Sequence, residues 1–162
     1  MPFTVNSDYK ITATFQAPTY KNDNSIFGNT ENSNLAHCTI YNSRYYVSTG
    51  NGETNFEKEL YGKHTVTMND GGYTTFDGDN ITNCTPTTDD NVSLVLAGRN
   101  GDGQNYMGKI YEFIIESIST GTEIMHVKPA IIRANGVVIA KGLLDSVSGE
   151  IYSANGMTLG ND

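Results

Sequence analysis

Lys63-His64-Thr65-Val66-Thr67-Met68, then Asn69-Asp70-Gly71-Gly72, then Tyr73-Thr74-Thr75-Phe76 is the stretch that decides the fold. His64, Val66 and Met68 alternate with Lys63, Thr65 and Thr67. Alternation at period two puts one set of side chains on each face of a strand. The four residues that follow either adopt positive φ readily or bond their own backbone. Tyr73–Phe76 then resumes strand-forming residues. The whole reads as a β-hairpin.

The same period extends outward. Ile11, Ala13 and Phe15 alternate with Thr12, Thr14 and Gln16 in one direction, and Val92, Leu94 and Leu96 share a face in the other. Further strands are predicted at 36–41, Arg44–Ser48, 72–76, Lys109–Ser117, 123–127, 136–140 and 149–153. Asn51-Gly52, Asp77-Gly78-Asp79-Asn80 and Ser148-Gly149 separate them as turns. Glu57–Leu60 allows one helical turn, and no window carries a capped 3.6-residue stripe. Ten or more short strands without helices predict an all-β chain, a two-sheet antiparallel jelly-roll sandwich, with residues 1–162 as one domain.

Composition agrees. The 162 residues include 17 Gly and only 17% charged residues, so polarity comes from Asn, Thr, Ser and Gly. Net charge is −8, from ten Lys plus Arg against eighteen Asp plus Glu, with no basic cluster. That argues against nucleic acid and against an anionic membrane surface as partners. No apolar run nears the ~18 residues of a membrane span. Met1–Asn6 lacks a basic segment followed by an apolar one, so no signal peptide is expected. Cys38 and Cys84 have no metal-type spacing and are expected to be unpaired apolar side chains.

The C-terminal third carries Met107-Gly108-Lys109-Ile110-Tyr111-Glu112-Phe113-Ile114-Ile115, then Met125-His126-Val127-Lys128-Pro129-Ala130. Gly142-Leu143-Leu144-Asp145-Ser146-Val147-Ser148-Gly149-Glu150-Ile151-Tyr152 follows. These roughly fifty residues resemble the closing strands of concanavalin A-like, or laminin G-like, jelly-roll domains. Such domains occur in bacteriophage tail (receptor-binding) proteins and in gut bacterial surface proteins. The resemblance implies two curved antiparallel sheets, often with a carbohydrate-binding role. It implies a virion setting, in a tail or fibre, or alternatively the outer surface of a bacterium. Partners would then be a host cell-surface glycan and other virion or surface subunits, a homotrimer among them.

The motif also has a direct physical reading. Lys109–Ser117 is apolar on both faces, Ile110 and Ile114 on one, Tyr111, Phe113 and Ile115 on the other, and should be a central strand. Asp145 is read as holding a tight turn in which Gly149 takes positive φ.

No catalytic constellation stands out, and the chain is read as a non-enzyme. Glu112 and Glu116 lie four apart on one strand face, about 13 Å by strand rise. That exceeds the ~6.5–9.5 Å of an inverting glycosidase pair. His37, His64 and His126 fall on separate strands and are read as structural or surface histidines. There is no nucleophile elbow and no phosphate loop. Asn100, Asp102 and Asn105 carry oxygens suited to calcium, but Tyr111 stands where an EF-hand needs its bidentate Glu. No cofactor or metal is therefore expected, with calcium on this loop as the alternative.

Binding candidates are aromatic faces beside planar polar groups. The chain has ten Tyr and no Trp. The strongest set is Arg99, Asn100, Asp102, Asn105 and Tyr106, with Tyr73 beside its turn; Arg44-Tyr45-Tyr46 is another. The function expected is glycan or receptor binding without turnover. A structural virion module that packs or oligomerises, and a glycan hydrolase with dispersed acids, are the alternatives.

Overall fold

The computed structural model describes residues 2–5, 8–17, 24–29, 37–41, 43–48, 53–59, 62–70, 73–83, 92–96, 108–152 and 158–159. The first strands are β1 (Pro2–Val5), β2 (Tyr9–Gln16), β3 (Asn24–Asn29), β4 (His37–Tyr41) and β5 (Arg44–Ser48). Next come β6 (Glu53–Phe56), β7 (Lys63–Asp70), β8 (Tyr73–Phe76), β9 (Asp79–Asn83) and β10 (Val92–Leu96). The last are β11 (Lys109–Ser117), β12 (Glu123–Ala134), β13 (Val137–Asp145), β14 (Ile151–Tyr152) and β15 (Thr158–Leu159). No helix occurs among the described residues.

Two sheets form. The smaller runs β1-β10-β3-β4-β5-β6, and the larger runs β14-β13-β12-β11-β2-β7-β8-β9. All these neighbours are antiparallel; β15 adds a short parallel pairing to β11 at Lys109 and Ile110. The all-β, two-sheet jelly-roll sandwich expected from the sequence is the fold.

The sheets meet through aromatic side chains. Phe27 of the smaller sheet lies 5.9 Å from Phe113 of the larger, centroid to centroid. Tyr45 lies 4.9 Å from Phe76 and 6.0 Å from Phe15. Ile11, Ala13, Phe15, Val66, Met68, Ile110, Ile115 and Val127 complete the layer from the larger sheet. All but Ile110 sit at the alternate position that the strand's period assigns to the interior, which is why the alternation is legible in the sequence.

The hairpin at 63–76 forms as expected, with Val66 opposite Phe76 and Thr67 opposite Thr75. Asn69 takes φ 64°, and the next turn, Asp77-Gly78, takes 52° and 87°. Two successive positive-φ residues are the geometry of a two-residue hairpin turn. Glu57–Glu59 is irregular rather than a helical turn.

Lys109–Ser117 is a central strand, between β2 and β12. Its faces differ from the expectation. The register shifts between Ile110 and Glu112, where Ile110 opposes Phe15 and Glu112 opposes Thr14. This bulge leaves Tyr111 as an extra residue. Ile110 therefore turns inward with Phe113 and Ile115, and Glu112 shares its outward face with Ile114 and Glu116 but not with Ile110.

A second difference lies at Pro129. The strand expected to end at 127 continues to Ala134, turns at Asn135-Gly136 (φ 49° and 77°), and returns as β13. The carbonyl of His126 accepts from Ser146 at 2.8 Å, so His126 faces β13. Backbone groups alternate sides along a strand, so Val127 and Pro129 face β11. Val127 pairs with Phe113, but Pro129 has no N–H to offer. Pairing with β11 stops there, while pairing with β13 continues to Ala134 opposite Val137. Lys128–Ala134 and Val137–Gly142 thus leave the sheet as a two-stranded arm.

Candidate functional site

The outward faces of the two sheets carry different chemistry. On the larger sheet, Thr14 and Thr65 share a hydroxyl hydrogen bond at 3.0 Å, and Thr12 donates to Thr67 at 3.5 Å. The Tyr111 hydroxyl donates to Gln16 Oε1 at 2.9 Å, and the Lys63 ammonium sits 4.2 Å above the Tyr111 ring. The bulge makes this contact, because it turns Tyr111 outward toward β2 and β7.

Farther along the same face is a charged cluster. His126 donates from Nε2 to Glu112 Oε2 at 2.9 Å and from Nδ1 to Glu123 Oε2 at 3.0 Å. Lys128 Nζ lies 2.8 Å from the same Glu112 oxygen. The Glu112 hydrogen bond holds His126 above its ordinary pKa against desolvation, with Glu123 adding to it. The Lys128 hydrogen bond, helped by His126, holds Glu112 below its ordinary value. Glu116 pairs with Lys10 at 3.2 Å. Both acids weighed as a catalytic pair are therefore engaged by cations.

The three histidines do not converge. His126 is outward on the larger sheet. His64 is inward on the same sheet, donating to Asp77 Oδ2 at 2.6 Å and to the Glu59 carbonyl, among the rings of Phe15, Tyr45 and Phe76. His37 lies on the smaller sheet opposite Ser48. No group of three or more His, Cys, Asp or Glu among the described residues is placed to hold a metal ion.

Of the binding candidates, Arg99, Asn100, Asp102, Asn105 and Tyr106 lie outside the described residues, as does Cys84. Tyr73 is 44% exposed and pairs with Asp70 and Asn83. It stands at the Asn69–Tyr73 end of the larger sheet. β11 begins at the other end, where Lys109 opposes Gln16 and Gln16 opposes Lys63. The two ends are roughly 20 Å apart by strand rise.

The smaller sheet carries the more suitable surface. Arg44 and Tyr46 point outward from β5, whereas Tyr45 between them is fully buried in the core. Tyr45 is thus absent from the outward face, and Tyr41, opposite Arg44, lies on it instead. Tyr41 is 44% exposed and meets Tyr46 edge to face at 5.9 Å and 71°. Arg44 is fixed across the strands, Nε donating to Asn55 Oδ1 at 2.8 Å and Nη1 to Glu57 Oε1 at 2.6 Å. Two tyrosines, a guanidinium, an amide and a carboxylate form one platform across β4, β5 and β6. Strand parity could have found it: with Tyr45 inward, Tyr41 and Arg44 must share a face, since they pair directly.

Fold and surface together define an all-β sandwich with an aromatic–polar face on one sheet. A scan against protein-family models and searches of curated proteins and of solved structures found no match.

Proposed function

We propose that this chain is a carbohydrate- or receptor-binding domain, of the concanavalin A-like kind carried by phage tails and bacterial surface adhesins, and that it holds a host glycan without turning it over. The observation that supports this reading is the Tyr41–Tyr46 pair beside an Arg44 already held by Asn55 and Glu57. An aromatic face offers sugar C–H groups an apolar surface, and the planar polar groups around it match sugar hydroxyls in direction. Arg44 is fixed before any ligand arrives, so less side-chain entropy is lost on binding. A shallow platform buries little area, so each site binds weakly, and repetition on a virion or cell surface supplies avidity.

The test is binding to a glycan array and to host cell-wall polysaccharide, with reducing-sugar release followed in parallel. Binding lost in Tyr41→Ala and Arg44→Ala puts the ligand on the platform. Loss confined to Asp102→Ala, Asn105→Ala, Tyr106→Ala or Tyr73→Ala moves it to those residues. A parent protein that binds no glycan overturns the reading, and sugar release turns it into a hydrolase.

A further inference from the structure

The charges of the platform restrict what it can hold. Arg44 uses Nε on Asn55 and Nη1 on Glu57, the latter at 2.6 Å. The guanidinium is thus neutralised by a carboxylate of its own chain. The residues that follow supply no spare cation: Lys58 pairs with Asp79 at 4.0 Å, and Glu59 is an exposed acid. The chain as a whole stands at −8. An anionic group arriving beside Tyr41 has to displace Glu57 from Arg44 before it meets an uncancelled positive charge.

The hydrogen-bonding groups left over point the same way. Among the described residues, Arg44 Nη2, Asn55 Nδ2 and Glu57 Oε2 have no partner. The two nitrogens only donate, and the carboxylate oxygen only accepts. Glu57 has 78% of its side chain exposed, so that oxygen is open to a ligand. A hydroxyl both donates and accepts, so it satisfies either kind of group. An ionised carboxylate or phosphate only accepts, and beside Glu57 it finds repulsion with no proton to share.

We propose that the platform selects an uncharged sugar unit, with its hydroxyls on Arg44 Nη2 and Glu57 Oε2 and its ring against the exposed Tyr41. It turns away uronic acids, sialic acids and phosphate-linked glycans. Glu57 then does two things: it orients Arg44 for the neutral ligand, and it repels the acidic one. Selectivity between related ligands commonly rests on such a repulsive group. This inference rests on the glycan-binding reading of the platform and adds the class of sugar.

The experiment is a glycan array of neutral and acidic saccharides, probed with the parent and with Glu57→Gln from about 0.05 to about 0.5 M NaCl. The parent should bind neutral saccharides, with no loss as salt rises, because no ion pair forms with the ligand. Glu57→Gln keeps a carbonyl acceptor for Arg44 but leaves its charge uncancelled. With an unchanged circular-dichroism spectrum, it should bind the neutral saccharides about three- to tenfold more weakly, since a neutral acceptor replaces an ionised one. It should also gain acidic saccharides, whose binding salt suppresses. A parent that binds only acidic saccharides overturns this inference and leaves the glycan-binding reading standing. So does a Glu57→Gln variant with the parent's selectivity. A parent that binds neither class overturns that reading and this inference together, as does neutral binding unchanged in both Tyr41→Ala and Arg44→Ala.

Discussion

The Asp145 carboxylate accepts the backbone N–H of His126 at 2.9 Å and that of Val147 at 3.1 Å, so one side chain joins the root of the arm to the turn that follows β13. The same turn closes through Asp145 N–H to the Glu150 carbonyl at 2.9 Å, with Gly149 at φ 78°. Burial pushes the Asp145 pKa up, but these N–H donors, together with hydrogen bonds from Ser148, outweigh it and leave the group below its ordinary value. Asp145→Ala removes the acceptor from part-buried N–H groups and should cost about 1 kcal/mol, read from urea unfolding; Asp145→Asn should cost less. Since the folded pKa is depressed, the contribution is present above the ordinary carboxylate value and lost as pH falls through the folded one.

His126 and Glu112 set limits in opposite directions. The His126 pKa is raised above 6.5, so its stabilisation is complete below 6.5 and lost as pH rises through the folded value. That of Glu112 is lowered from 4.5, so its share is complete above 4.5 and lost as pH falls through the folded value. The cluster therefore contributes most between those two ordinary values. Its side chains are partly exposed, so the size is modest, about 0.5–1 kcal/mol. The urea midpoint of His126→Gln should lie furthest below the parent's in that window and converge with it at alkaline pH.

Tyr45 is fully buried, and its hydroxyl has no hydrogen-bond partner among the described residues. Burial also drives its pKa upward. Tyr45→Phe keeps the ring contacts with Phe15, Phe56 and Phe76 and removes a desolvated hydroxyl. It should be neutral or stabilising by up to about 1 kcal/mol. Tyr45→Ala should cost about 3–5 kcal/mol. A Tyr45→Phe variant less stable than the parent by thermal melting would show that the hydroxyl is satisfied in solution.

Cys38 is a free, buried thiol whose pKa burial pushes far up. It should resist alkylation in the folded protein and react once unfolded. Peptide mapping after iodoacetamide treatment, with and without denaturant, reads this directly. Modification of Cys38 under native conditions at the rate of an exposed thiol would contradict the packing.

Much of the fold was legible because the buried strands obey their period. Lys109–Ser117 and Val92–Leu96 have the bounds the alternation indicates, and the turns at Asn69 and Asp77 follow from residue chemistry. Two features escaped because they break a period. The bulge at Tyr111 changes parity within one strand, so counting by twos put Ile110 on the wrong face. Pro129 reads as a strand end because it cannot donate, yet it blocks only the side facing β11. The Asn135-Gly136 pair was the available signal for the hairpin beyond it. The platform was half legible: Arg44 and Tyr46 were singled out, but Tyr45 was grouped with them, since adjacency in sequence conceals opposite faces of a strand.

The position of β2 has a consequence for how the chain is made. It lies between β7 and β11, and its preceding residue Asp8 receives the Ser117 hydroxyl from 109 residues along the chain. A ribosome delivers β2 and the 63–76 hairpin long before β11 exists. Until then the flank of β2 destined for β11 is open, with Ile11, Ala13 and Phe15 lacking half their cover. Closure of the middle of the larger sheet is thus a late event with a long loop to draw in, and such topologies fold slowly. During that interval the nascent chain is at its most prone to pair with a neighbour, so synthesis at low temperature or with holding chaperones should favour yield more than any change to the finished surface.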